Sequence, residues 1–65
     1  MKLNELVNVL YNIKVNVLLD NEDGVNSIYN ALVEGLKSDN NLKKYEVDYV
    51  LQNIEKDLTI VVKER

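Results

Sequence analysis

The first candidate functional side chains of this sequence lie in a short acidic segment. Three carboxylates precede Gly24, namely Asp20, Glu22 and Asp23. Carboxylate oxygens are ligands that Ca²⁺ prefers, but an EF-hand loop also requires an oxygen ligand five residues before its glycine and a glutamate six residues after it. Those positions hold Leu19 and Asn30. We therefore interpret the segment as a solvated turn without a metal, and as a candidate contact for a protein partner.

The other candidate groups are a carboxylate pair and tyrosines. Glu46 and Asp48 stand two residues apart, but catalysis by paired carboxylates requires an apolar cleft that raises one pKa. Their alternation with apolar residues predicts instead that they lie on the solvent-exposed face of a strand. Tyr45 and Tyr49 share the other face of that predicted strand, where we interpret them as core residues or interface anchors. These four residues are further candidates for contact with a protein partner.

Composition argues against catalysis and against nucleic-acid binding. The sequence contains no histidine and no cysteine, which removes the usual proton shuttle and thiol nucleophile. We predict a protein that is not an enzyme and uses no cofactor. The net charge is −3, whereas nucleic-acid binders carry a basic stripe. An acidic surface predicts a protein partner with a basic surface and no direct contact with nucleic acid.

The sequence predicts no membrane association. No apolar run reaches the roughly 20 residues that a membrane-spanning helix needs, and polar residues interrupt the start of the chain before a signal-peptide core could form. We therefore expect a cytoplasmic protein.

Hydrophobic periodicity predicts a helix and then a strand in the first third of the chain. Apolar residues recur at the spacing of one helical face, at Leu3, Leu6, Val7 and Leu10. They predict a helix over residues 4–11 with Asn4 as its N-cap. Residues 13–19 alternate and predict a strand that ends at the acidic turn. Asp23 and Gly24 signal a hairpin there, because a type I′ turn needs positive φ at both central residues.

The middle of the chain supports two interpretations, and its end supports one. Residues 25–36 fit a strand by turn chemistry and a helix by composition, and periodicity alone does not decide between them. Ser38 or Asp39 then caps a short helical turn that ends at Leu42. Alternation over residues 45–52 and 58–63 predicts a C-terminal hairpin, with a turn over residues 53–57.

These elements predict a single α+β domain over residues 1–65, in which the N-terminal helix packs on an antiparallel sheet of three to four strands. The expected order is helix-strand-strand-short helix-strand-strand. Alternation leaves three apolar residues on the second face of the sheet as candidates for self-association, namely Leu18, Val50 and Val61. A chain of this size buries only about 60% of its unfolded surface. Since disulfides and zinc sites lack their usual ligands here, we expect a homodimer that uses this face or an open strand edge.

Two family resemblances accompany these patterns. The segments Leu3–Val7, Lys14–Val17, Ile28–Tyr29, Tyr45–Val47 and Leu58–Val62 carry the first. With them the chain resembles small accessory proteins of phages of low-GC Gram-positive bacteria. That resemblance implies that residues 25–33 form a strand. It also implies a non-catalytic protein-binding module, an inhibitor or adaptor of a host protein such as a defence-system component, and therefore a location in the host cytoplasm.

The second resemblance covers residues 13–63. The strand Ile13–Leu19, the segment Glu22–Leu32, the tyrosine strand Tyr45–Tyr49 and the strand Leu58–Lys63 are similar to the Pcc1 subunit of the KEOPS tRNA-modification complex. This resemblance implies a helix in the middle segment. It also implies a small structural subunit of an intracellular complex that dimerises.

Overall fold

One short helix precedes a four-stranded sheet in the computed structural model, which describes residues 1–52 and 57–64. The elements are α1 (Leu3–Asn8), β1 (Lys14–Asn21), β2 (Gly24–Leu32), β3 (Tyr45–Gln52) and β4 (Leu58–Glu64). Two short 3-10 helices, Val33–Gly35 and Asn40–Lys44, connect β2 to β3. The predicted α+β class and the predicted order of elements are therefore confirmed. The predicted turn over residues 53–57 lies largely outside the described residues.

The sheet is mixed rather than fully antiparallel. Its strand order is β2-β1-β4-β3. The two outer pairs are antiparallel, as expected, whereas the central pair β1–β4 is parallel. The reason is the connection over residues 33–44, which crosses from the β2 edge of the sheet to the β3 edge. It delivers β3 parallel to β2, so the C-terminal hairpin returns β4 parallel to β1.

The helix α1 is shorter than predicted and begins earlier. It starts at Leu3, so Asn4 is not its N-cap, and Lys2 takes that position. The Lys2 backbone N–H donates to Glu5 Oε1 at 2.9 Å, which fixes the first turn as a capping box does. The helix ends at Asn8, and Asn12 adopts a left-handed φ of 54° before β1 begins. Asparagine tolerates that conformation better than most residues, and it redirects the chain into the sheet.

The ambiguous middle segment is a strand for most of its length. Residues 24–32 form β2, and only Val33–Gly35 are helical. The hairpin before β2 is confirmed, but its predicted type I′ turn is wrong. Among the described residues only Asn12 and Gly24 have positive φ, so the two central turn residues do not. Instead, Asn21 Oδ1 accepts a hydrogen bond from the Asp23 N–H at 2.9 Å, and Gly24 absorbs the strained backbone with a φ of 122°.

A β-bulge interrupts each edge strand. The register of β2 shifts between its pairings with Val17 and Leu18, and the register of β3 shifts at Asp48. One extra residue moves every following side chain to the other face of a sheet. As a result Tyr49 lies opposite Val61. The predicted single face for Tyr45 and Tyr49 is therefore wrong, because the bulge between them reverses the alternation.

The core lies between the sheet and the helical segments, on one face of the sheet only. It comprises Leu3, Val7, Val15, Val17, Val33, Leu36, Leu42, Tyr45, Ile60 and Val62. Both 3-10 helices contribute to it. Asp39 caps the second one by accepting from the Asn41 N–H at 2.9 Å, which decides between the two predicted caps, Ser38 and Asp39. The smallest extent of the Cα trace is 17 Å. That thickness accommodates two layers, one sheet and one layer of helices and turns.

Candidate functional site

The second face of the sheet carries an apolar patch, which we call the open face and define by Leu18, Tyr49, Leu51 and Val61. Leu18 is the parallel neighbour of Val61, and Val61 lies opposite Tyr49 in the antiparallel pair. Leu51 follows Tyr49 by two residues and is exposed. The described helix and 3-10 helices contribute their buried side chains to the core on the other face. In the described part of the chain, the open face therefore has no covering layer.

Val61 is buried in the middle of the open face although nothing described lies above it. Its exposure is 3%, whereas that of Tyr49 is 50%. Its neighbours in the sheet are Leu18 on one side and Tyr49 on the other. The polar margin beside them is ordered, since Ser27 Oγ donates to Asn16 Oδ1 at 2.9 Å. The result is an apolar centre with a fixed polar margin, the arrangement found at protein interfaces.

The carboxylates predicted as partner contacts converge at one end of the sheet. β1 and β4 are parallel and both end there, and β3 begins there because Glu46 pairs with Lys63. The turn that follows β1 lies at the same end and carries Asp20, Glu22 and Asp23. The structure thus brings these three residues, Glu46 and Asp48 to what we call the acidic end. Asp20 is two residues from Leu18 on the same strand face, so the acidic end adjoins the open face.

Two of the five carboxylates at the acidic end are partly neutralised. Glu46 Oε1 accepts from the Met1 ammonium at 3.0 Å, and Glu46 Oε2 lies 3.5 Å from Lys2 Nζ. The hydrogen bond from the ammonium holds the pKa of Glu46 below its usual value, with the charge of Lys2 adding to the effect. Asp48 Oδ2 lies 3.8 Å from Lys63 Nζ. Both pairs are solvent-exposed and contribute little to stability.

The acidic turn is the freer source of negative charge. Within residues 1–52 and 57–64, no ion pair joins its three carboxylates to a cation. A shallow open cleft of about 350 Å³ runs beside the turn, lined by Asp20, Asn21, Glu22 and Lys63. Among the described residues, no group of three or more His, Cys, Asp and Glu side chains is placed to hold a metal ion. The turn therefore carries negative charge without a built ion site among the described residues.

Several predicted site residues lie elsewhere. Tyr45 is buried in the core and is not available to a partner, so of the tyrosines on that strand only Tyr49 is exposed. Val50 lies opposite Ile60, which places it on the core side and separates it from Leu18 and Val61. Leu51 was not among the predicted contacts. The bulge at Asp48 moves Val50 to the core side and Leu51 to the open face. No residue pattern in the sequence marks that bulge.

The comparisons with known proteins give no relatives. No family model matches this chain, and neither a curated protein nor a solved structure matches it significantly. Neither the phage resemblance nor the Pcc1 resemblance is supported by them. In the described part of the chain, no helix is both long and apolar enough to span a bilayer.

Proposed function

We propose that this protein is a non-catalytic binding module that docks a protein partner on its open face. The observation that carries the proposal is the exposed pair Tyr49 and Leu51 beside Val61, on a sheet face that no described element covers. An apolar patch with a polar margin is typical of interaction sites. Tyrosine is among the residues that most often dominate binding energy. Tyr49 is therefore the expected anchor.

The charge beside the open face defines the chemistry of the partner. Asp20 lies on the same strand face as Leu18, and the other carboxylates of the acidic turn follow it. A complementary partner presents an apolar surface that is flanked on one side by lysine or arginine. Charge pairs at such a rim contribute mainly to association rate and specificity. We therefore expect binding to slow with added salt and to keep its apolar contribution.

A narrower hypothesis concerns the biological role. The phage resemblance implies an inhibitor or adaptor of a host protein, such as a component of a defence system. It is supported by the pattern of residues alone, and the proposed binding surface is compatible with it. A lysate of a low-GC Gram-positive bacterium is accordingly the first source in which to search for the partner.

The proposal is tested by affinity capture with matched tyrosine variants. Wild-type protein, Tyr49→Ala and Tyr11→Ala are immobilised and incubated with the same lysate. Tyr11 is a suitable control because it is exposed and contacts Lys37 Nζ at 3.7 Å from its ring centroid, in the layer of helices and turns. We expect wild type and Tyr11→Ala to recover one stoichiometric protein that Tyr49→Ala loses. Equal recovery by both variants, or no specific protein with wild type, contradicts the proposal.

A further inference from the structure

The outer edge of β2 has free backbone hydrogen-bonding groups. β2 is the first strand in the sheet order and pairs only with β1. The Val33 N–H donates to the Ile13 carbonyl at 2.9 Å, in register with the β1–β2 ladder. Backbone groups of successive residues point to alternate sides of a strand. Asn30 and Leu32 are three residues and one residue from Val33. Their N–H and C=O groups therefore point away from β1, to the side where no described residue pairs with them.

The other edge of the sheet is protected. The Val47 N–H of β3 donates to the Met1 carbonyl at 2.9 Å, and Lys2 forms an isolated bridge with Glu46. β3 also carries charged residues and a bulge at Asp48, which are common devices against edge pairing. β2 has its own bulge, but its nine residues include no charged residue and no proline. Natural sequences normally carry a charged residue or a proline on such an edge strand, and β2 carries neither.

We propose that a second copy of this chain occupies that edge, pairing β2 with β2 in antiparallel fashion to form a continuous eight-stranded sheet. Val25 and Leu32 lie near opposite ends of β2 and are exposed by 57% and 58%. Their partners in β1 are Asp20 and Lys14, so both side chains lie on the same face as Leu18. A two-fold axis perpendicular to the sheet brings Val25 of each copy beside Leu32 of the other. The symmetry forms this contact twice, so all four apolar side chains are covered.

Charge favours the same arrangement. The Gly24 end of β2 adjoins the acidic turn, and the Leu32 end adjoins Lys14, its partner in β1. Glu34 follows that end, but its carboxylate accepts from the Asn12 N–H at 3.0 Å. Antiparallel pairing places each acidic turn near Lys14 of the other copy, whereas parallel pairing would place the two acidic turns together. A chain of net charge −3 can therefore pair in this orientation without its two acidic turns facing each other.

The dimer extends the proposed binding surface without depending on it. A two-fold axis perpendicular to the sheet keeps both open faces on the same side, so a dimer presents two binding sites in one plane. An interface of one strand pair is smaller than the ~1,200–2,000 Å² of stable complexes. We therefore expect a dissociation constant in the micromolar range.

Sedimentation from roughly 1 µM to 1 mM tests the dimer, over the range that a micromolar constant requires. Asn30→Pro removes an outward N–H that β1 does not use, and proline is tolerated at such edge positions. Asn30→Ala keeps the N–H and is the matched control. We expect wild type and Asn30→Ala to dimerise and Asn30→Pro to remain monomeric. A wild type that is monomeric throughout overturns the proposal, as does a folded Asn30→Pro that dimerises normally.

Amide exchange in the wild-type protein gives a second test, which decides the matter if Asn30→Pro does not fold. The amides of Asn30 and Leu32 should exchange slowly at high protein concentration and quickly on dilution. Concentration-independent exchange at both positions overturns the proposal. Tyr49→Ala should dimerise like wild type, because Tyr49 lies on β3 at the far edge. If Tyr49→Ala is monomeric, the copies associate through the open face and the edge proposal is wrong.

Discussion

Val61 and Val62 are adjacent residues of β4 that allow the two-layer structure to be tested. Both are almost fully buried, at 3% and 0% exposure, and they point to opposite faces of the sheet. Val62 belongs to the core cluster beneath the helices, whereas Val61 lies on the other face of the sheet and is not part of that cluster. Replacement of each by alanine changes strand propensity equally, because both lie on the same central strand. Any difference in cost therefore reports what lies above each side chain.

The expected costs differ by about a factor of two. Each methyl group removed from a closed core costs about 0.8 kcal/mol in transfer free energy. A residual cavity of about 40 Å³ adds roughly 1 kcal/mol at ~24 cal/mol per Å³. Val62→Ala should therefore lose about 2.5 kcal/mol. At Val61, on the face that no described element covers, we expect water or shifted neighbours to fill the vacated space, which leaves only the transfer free energy of two methyl groups, about 1.5 kcal/mol.

Urea unfolding followed by circular dichroism measures both costs. A chain of this length has a stability of roughly 3–10 kcal/mol, so both variants should remain folded enough to give a transition. With a slope near 1 kcal/mol/M for a small protein, the two midpoints should differ by about 1 M. Equal losses at the two positions would refute the reasoning, because they would mean that a further layer covers the open face. The measurement is made at low concentration, where association does not contribute.

Three further predictions concern individual contacts. Glu46→Gln should destabilise the protein at pH 7, and the difference in urea midpoint from wild type should shrink as pH falls. The folded-state pKa of Glu46 is lowered, so its contribution is present above the unfolded pKa and is lost as pH falls through the lower folded pKa. Gly24→Ala should lower the free energy of unfolding by about 1–3 kcal/mol, measured in thermal or urea unfolding. The φ of Gly24 is 122°, which residues with a Cβ rarely adopt, so the cost arises from the backbone and not from crowding around the new methyl group. The pKa of Tyr29 is raised first by burial and then by the neighbouring Asp39 carboxylate. An NMR titration should therefore show that Asp39→Asn lowers the pKa of Tyr29. An unchanged pKa would exclude the interaction between Asp39 and Tyr29.

The sequence predicted local structure well. Residue alternation located β1 and β4 to within two residues at each end, and one of the two candidate caps, Asp39, is the cap of the second 3-10 helix. The hairpin signal at Gly24 located the first turn correctly, although the turn type differs. These features depend on interactions between residues near in sequence, where periodicity and turn chemistry act directly.

Long-range structure was less accessible. The parallel pairing of β1 with β4 depends on how residues 33–44 cross the sheet, and no short pattern encodes that path. The two bulges likewise leave no residue signature, yet the one at Asp48 decides which residues share a face. Alternation through that strand predicted Val50 on the second face, whereas the bulge places Tyr49 and Leu51 there. The sequence therefore placed Leu18 and Val61 correctly on the second face of the sheet and Val50 incorrectly, and their predicted role in self-association stays a prediction.

The central claim is that Tyr49 anchors a protein partner on the open face, and the affinity of the captured partner for matched variants tests it most directly. Aromatic side chains bury about 150–250 Å², and Tyr49 is half exposed. Covering the remaining ~100 Å² contributes about 2.5 kcal/mol at ~25 cal/mol per Å². Titration calorimetry should therefore show Tyr49→Ala binding roughly 30–100 times more weakly than wild type, with Tyr11→Ala unchanged. Equal dissociation constants for wild type and Tyr49→Ala would contradict the account.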